Sequence, residues 1–149
     1  NNPFGNTNRF TDTTGAQTYS NDIVIDWATT NYINETVIGW YRIVQGGAGV
    51  AWATAMAAQP VSLVGYSWYL PNKQEAATII NDGFDPTLNY SPFNLPNTSE
   101  RYWTSTTNKR SPTSAHHFTN ASGQIFSNPK TNTWQYLLMR YFTFTELGL

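Results

Sequence analysis

The chain has 149 residues, 15% aromatic and 11% charged, with a formal net charge of −1 and no cysteine. That length suits one domain with a real core, and the near-neutral balance lacks the basic field that nucleic acid or anionic lipid requires. The absent thiols exclude disulfides, thiolate metal sites and a cysteine nucleophile, and no apolar run approaches the ~20 residues that span a bilayer.

Asn, Thr and Ser make up about a third of the chain, in place of the usual charged complement. A polar, weakly charged surface suits recognition by hydrogen bonding and aromatic contact, outside a cell or on a virion. The opening Asn1-Asn2-Pro3-Phe4-Gly5 carries neither an initiator Met nor a signal-peptide pattern. A domain cut from a longer protein, or a processed product, is expected.

In chain order, Arg9–Asp12 reads as a first strand, and Asp22–Trp27 as a second by its β-branched content. Val37–Val44 is a third, broken by Gln45-Gly46-Gly47-Ala48-Gly49. A helix is predicted from about Val50, with Trp52 and Met56 on one face, and Pro60 stops it. Gly65–Leu70 reads as a strand ending at Pro71. There the chain restarts as a helix capped by Asn72, with Glu75 completing a capping box. Ala76, Ile79 and Ile80 form its buried stripe, and Asn81-Asp82-Gly83 ends it.

Asp85–Arg101 is a loop rich in Pro, Asn and Ser. Short strands follow at Tyr102–Thr106, Ala115–Thr119, Gln124–Phe126 and Trp134–Phe144, joined by turn chemistry. The last strand is apolar on both faces, which predicts a central, buried position. No repeat or linker interrupts residues 1–149. The reading is a single α+β domain with two short helices in its N-terminal half and a mixed, mostly antiparallel sheet of short strands.

Little in the chain has the pattern of an active site. His116 and His117 are adjacent on a strand, so they point to opposite faces and cannot readily share one metal. One is expected to pack and the other to face solvent. Asp22 and Asp26 lie four apart on one face of a strand, the arrangement of a glycosidase pair, though ion pairing is the commoner use. No serine stands in a Gly-x-Ser-x-Gly context. Arg140, inside the apolar last strand, needs a carboxylate or carbonyl partners, and an internal salt bridge is expected. An enzyme is not expected, nor any cofactor.

The C-terminal half carries the recognition candidates: Asn108, Lys109, Arg110, Asn120, Lys130, Asn132 and Trp134 on its turns, with His117 on the strand between them. Loops on a rigid scaffold are where binding residues concentrate. An indole can stack on the apolar face of a sugar while Asn and Lys supply donors. Truncating Trp134 and Lys109 together is expected to weaken binding and leave stability nearly unchanged.

Two landmarks, Gly65-Tyr66-Ser67-Trp68-Tyr69-Leu70-Pro71-Asn72-Lys73-Gln74-Glu75 and Tyr102-Trp103-Thr104-Ser105-Thr106, resemble the "GYSDWRLPNKKEL … YWSST" pattern of a bacterial and phage domain family. That family is the one of the C-terminal domain of a collagen-like adhesin (the Lcl C-terminal domain family). Gly5–Thr13, Val50–Ala55 and Leu138–Tyr141 are similar to its opening strand, first helix and closing strand, so the likeness covers nearly the whole chain. It departs from the family where Tyr69 replaces an Arg and where cysteines are missing.

The resemblance implies a C-type lectin-like fold, with Trp68 and Trp103 in the framework. It also implies a non-enzymatic module at a cell or virion surface that binds a glycan or a cell-surface receptor, without membrane insertion or nucleic acid. The formylglycine-generating enzymes share the fold, but their chemistry needs thiols. Calcium-dependent lectins use Glu-Pro-Asn or Gln-Pro-Asp with Trp-Asn-Asp, whereas here Gln59-Pro60 is followed by Val61 and no Trp-Asn-Asp occurs. The alternative is a structural domain that assembles into a fibre, tail or capsid-surface complex. In that case the Asp85–Pro96 loop and the apolar Phe142–Leu149 would pack on other copies or on the parent protein.

Overall fold

The computed structural model describes residues 1–149. Its strands are β1 (Phe10–Thr11), β2 (Ile23–Asn31), β3 (Thr36–Ala51), β4 (Val61–Leu63), β5 (Tyr66–Trp68), β6 (Arg101–Thr107), β7 (Ser114–Thr119), β8 (Ile125–Pro129) and β9 (Thr133–Thr143). The helices are α1 (Trp52–Ala58) and α2 (Lys73–Ala77). Seven strands form one sheet in the order β1-β2-β3-β9-β6-β7-β8, and β4 and β5 form a separate hairpin. The sheet is mixed, since β9 runs antiparallel to β3 and parallel to β6. The architecture is α+β, dominated by β structure.

The doubly apolar β9 lies at the centre of the sheet, where both of its faces are covered. Its side chains alternate between two cores, as the two-residue strand period demands. Leu137 and Met139 join Val24, Ile38, Trp40, Tyr102 and Phe118 in one core. Tyr136, Leu138 and Phe142 join Ile23, Ile25, Trp68 and Trp103 in the other. Ala76 and Ile79 from the α2 region, with Leu88, Tyr90 and Phe93, close the first. Ala55 of α1, the β4–β5 hairpin and Leu147 of a closing 3-10 turn (Thr145–Leu147) cover the second.

Several local expectations are corrected. The glycine run does not break β3, which continues to Ala51 and still pairs Val50 with Trp134. The strand instead bends through two register shifts, one on either side of Gln45, the second of them across the glycine run. At Gly49 (φ +121°) a side chain would sit 2.7 Å from the Thr133 carbonyl oxygen, so only glycine allows this close approach. Helix α1 consequently starts at Trp52. Helix α2 has the expected capping box but ends at Ala77, and Ile79 reaches the core from the turn that follows.

Within the Asp85–Pro96 loop, Leu88, Tyr90 and Phe93 are buried in the chain's own core, so these three side chains are not available to other copies. At the C-terminus Phe142 and Leu147 are likewise buried and Phe144 packs edge-on to Trp27, while Leu149 stays exposed.

One irregularity shapes the surface. Strands β6 and β9 are paired at Tyr102–Gln135 and then diverge. The Tyr69–Pro71 segment fills the fork. Tyr69 and Met139 exchange backbone hydrogen bonds of 2.9 and 2.8 Å, and the Ser105 N–H donates to the Pro71 carbonyl at 2.8 Å.

Candidate functional site

Trp134 is the second residue of β9 and lies opposite Val50 of β3. Its ring rests on Trp103 at 4.5 Å and on His117 at 4.0 Å, centroid to centroid. The Trp103 indole N–H donates to the Val50 carbonyl at 2.9 Å, which locks this stack to the bent end of β3. Half of Trp134 is thus foundation and half is exposed face. The Arg101 guanidinium stands over that ring, 5.5 Å from its centroid.

Trp134 and Arg101 line a cleft of about 260 Å³ with Asn97, Ser99, Glu100 and Gln135. The Gln135 side-chain amide donates to the Gly47 carbonyl at 2.7 Å, so the glycine bend forms part of the wall. Glu100 accepts a hydrogen bond from the Tyr102 hydroxyl. Burial first, and then that carboxylate, hold the Tyr102 phenol protonated far above its ordinary range. The cleft therefore offers one aromatic face, one cation, one carboxylate and several amide or hydroxyl groups. Such a set can orient a polyhydroxylated or peptide ligand without any activated nucleophile.

Of the eight residues expected from the sequence, only Trp134 lines this cleft. Lys109 and Arg110 are exposed on the β6–β7 turn. Asn108 shapes that turn by accepting the Arg110 N–H at 3.0 Å and donating to Ser127 Oγ at 2.8 Å. The Lys130 N–H donates to the Thr113 carbonyl at 2.9 Å, bringing the β8–β9 turn against the β6–β7 turn. The Lys130 ammonium lies 4.1 Å above the Trp52 ring. Asn132 closes its turn with an N–H donated to the Pro129 carbonyl at 3.0 Å.

Two of the candidates, His117 on β7 and Asn120 on the turn that follows it, are buried rather than open to a ligand. His117 is 1% exposed within β7, with Nε2 paired to Asn128 Oδ1 at 2.8 Å and Nδ1 without a partner. Its register partners Trp103 and Phe126 fall on the same face and enclose it, which a single-strand reading cannot foresee. Desolvation lowers its pKa. His116, one residue away, is only half-buried, as the strand alternation predicts.

Asn120 is fully buried and acts as a clamp. Its Oδ1 accepts the Leu88 N–H at 2.9 Å, and its Nδ2 donates to the carbonyls of Leu95 and Asn97 at 2.8 and 2.9 Å. Through Asn97 it positions the wall of the cleft from a buried site.

The acidic pair is also resolved. Asp26, buried, takes a two-pronged contact from Arg9 at 2.9 and 3.0 Å, while Asp22 pairs with Arg42 at 2.9 Å. Asp22 sits at φ 62°, before β2 begins, so the two carboxylates do not share a strand face. Arg140 has the carboxylate partner it needed, Glu146 at 2.9 Å.

Asn97, Ser99, Glu100, Arg101 and Gln135 were missed by the sequence reading. Their one signal is that a polar run, Asn97–Arg101, directly precedes the Tyr102-Trp103 landmark.

Among known proteins, the family model of the Lcl C-terminal domain matches residues 25–140, from within β2 to late β9. No curated protein matches the chain.

Proposed function

The chain belongs to the Lcl C-terminal domain family, and from that premise we propose a non-enzymatic recognition domain with the C-type lectin-like fold. It acts at a cell or virion surface, as an adhesin module or a phage receptor-binding module, and binds a glycan or a surface receptor. The observation that carries this reading is the Trp134 cleft: a half-open indole on a rigid stack, beside Arg101, Glu100 and Gln135. Planar rings take the apolar face of a sugar or side chain, and the flanking polar groups fix its orientation.

The test is a glycan array probed with the domain displayed multivalently, so that weak sites register through avidity, with a parallel run in EDTA. Arg101→Ala removes an exposed cation from the cleft and leaves the Trp134 stack in place. Loss of the strongest signals in that variant supports the cleft, and EDTA sensitivity would reveal a calcium site. A blank array moves the reading to a protein receptor.

A second reading, assembly with other copies or a parent fibre, draws on the β2–β3 hairpin tip. There Ile33 is 94% and Tyr32 63% exposed. Concentration-dependent mass by light scattering, abolished in Ile33→Ser, would favour it.

A further inference from the structure

A second recess lies towards the far end of β9, where the Tyr69–Pro71 segment fills the fork between β6 and β9. It is a groove of about 400 Å³ whose lining includes Ser67, Tyr69, Glu75, Met139, Arg140 and Tyr141. The antiparallel bridge sets Tyr69 opposite Met139. By the two-residue period, Tyr69 and Tyr141 are then diagonal neighbours on one face, ~7–8 Å apart. Both rings remain open, Tyr69 at 44% and Tyr141 at 52% exposure. Two open phenol rings thus border one groove.

The polar groups around that groove are held in place. The Tyr141 hydroxyl donates to Glu75 Oε2 at 2.6 Å, and Glu75 Oε1 accepts the Asn72 N–H at 2.8 Å within the capping box. Arg140 lies over the rings of Tyr66 and Phe142, 4.7 and 4.5 Å from their centroids, and is paired with Glu146. An anion finds no free cation here, since Glu146 already matches Arg140. A metal ion finds no bare carboxylate, since Glu75 already accepts from Asn72 and Tyr141. What remains is aromatic surface edged with hydroxyl, carboxylate and guanidinium groups, at the small end of ligand-site volumes.

We propose that this groove is a second binding site, specific for a neutral saccharide. One hexose ring would lie against Tyr69 and Tyr141, with its hydroxyls bonded to Glu75 and Ser67. The site is independent of the Trp134 cleft, which lies seven residues back along β9, ~20 Å or more at strand rise. A ligand at one would leave the other free, so a branched or repeating glycan could engage both.

The test is an amide-resolved NMR titration with the methyl glycosides of glucose, galactose, mannose and N-acetylglucosamine. At least one glycoside should shift the amides of residues 67–75 and 139–141. Tyr69→Ala should weaken that binding by about tenfold or more, as loss of a central aromatic contact does. Tyr69→Trp should keep or tighten it, and Tyr141→Phe should weaken it less than Tyr69→Ala. Arg101→Ala, in the other cleft, should leave it unchanged.

The proposal is overturned if none of the four glycosides shifts these amides. It is also overturned if binding persists undiminished in Tyr69→Ala, or if shifts fall only on Asn97–Arg101 and Gln135. That last result would support the Trp134 cleft while removing this groove.

Discussion

Two polar loop regions flank β6 and behave in opposite ways. The Asp85–Glu100 loop buries Leu88, Tyr90 and Phe93 and is gripped by one amide, that of Asn120. The Asn108–Thr113 turn buries no large side chain and leaves Lys109 and Arg110 in water. Both carry turn residues, so composition alone makes them look alike. The difference lies in a few apolar residues spaced to reach the sheet, and in a buried polar group that satisfies the loop's backbone. Loops of the first kind are core structure that happens to lack regular hydrogen bonding. Those of the second kind are free to vary.

The sharpest way to break this contrast is Asn120→Ala. It leaves the Leu88 N–H and the Leu95 and Asn97 carbonyls without their buried partner, at about 1–3 kcal/mol for each group that water cannot reach. A loss of about 3–5 kcal/mol in urea unfolding is expected. The same variant should weaken ligand binding at the Trp134 cleft, because the Asn97 part of its wall loses the Asn120 amide. A change of less than about 0.5 kcal/mol, the ordinary surface range, would show the loop to be held by its apolar residues alone.

Trp134 stands between the two kinds of region. Truncating it removes stacking on Trp103 and His117, so Trp134→Ala should cost about 2 kcal/mol, less than a fully buried Trp. The Trp134→Ala/Lys109→Ala pair therefore cannot leave stability unchanged, contrary to the sequence-based expectation. Trp134→Tyr keeps a ring on the stack and is the cleaner probe of binding. Comparable melting temperatures for Trp134→Ala and the parent protein would mean that the stack bears no load.

These cases show what the sequence made legible. The capping box at Asn72–Glu75 and the central β9 follow from local pattern, because each is encoded within about ten residues, while the framework roles of Trp68 and Trp103 come from the family resemblance. The cleft is not local. Arg101, Gln135 and Gly47 are brought together by the parallel β6–β9 contact and by a glycine bend that reads as a strand break. His117 and Asn120 look like surface residues until their cross-strand neighbours are known. A candidate list drawn mainly from turns therefore meets this cleft only at Trp134, and two of its members, His117 and Asn120, are buried.

The buried imidazole gives a smaller, pH-dependent test of the same boundary. His117 is packed among Trp103, Phe126 and Trp134, and Arg101 adds a repulsive charge to the desolvation that lowers its pKa. The unfolded chain takes up this proton near pH 6.5, and the folded chain only at lower pH. Below pH 6.5 the unfolded state binds more protons, so stability falls as the solution is acidified. Melting temperatures measured from pH 7.5 to 5 should decline, and His117→Gln should flatten the slope. His116, whose pKa is also lowered by desolvation and by Lys73, leaves a residual slope in that variant. An unchanged slope in His117→Gln would place the linkage elsewhere.

The smallest effect expected is also the most informative about function. Lys109 and Arg110 are exposed, and the turn they occupy is shaped by Asn108, whose amide accepts the Arg110 N–H and so does not need the Arg110 side chain. Lys109→Ala and Arg110→Ala should each change unfolding free energy by no more than about 0.5 kcal/mol. Their effect on binding then separates two arrangements of the recognition surface. If both variants keep array binding while Arg101→Ala loses it, the ligand is confined to the Trp134 cleft and this turn is free to vary without consequence. If they weaken binding with stability intact, the ligand extends from the cleft onto the turn. Lys130, tied to that turn through Thr113, then becomes the next side chain to truncate.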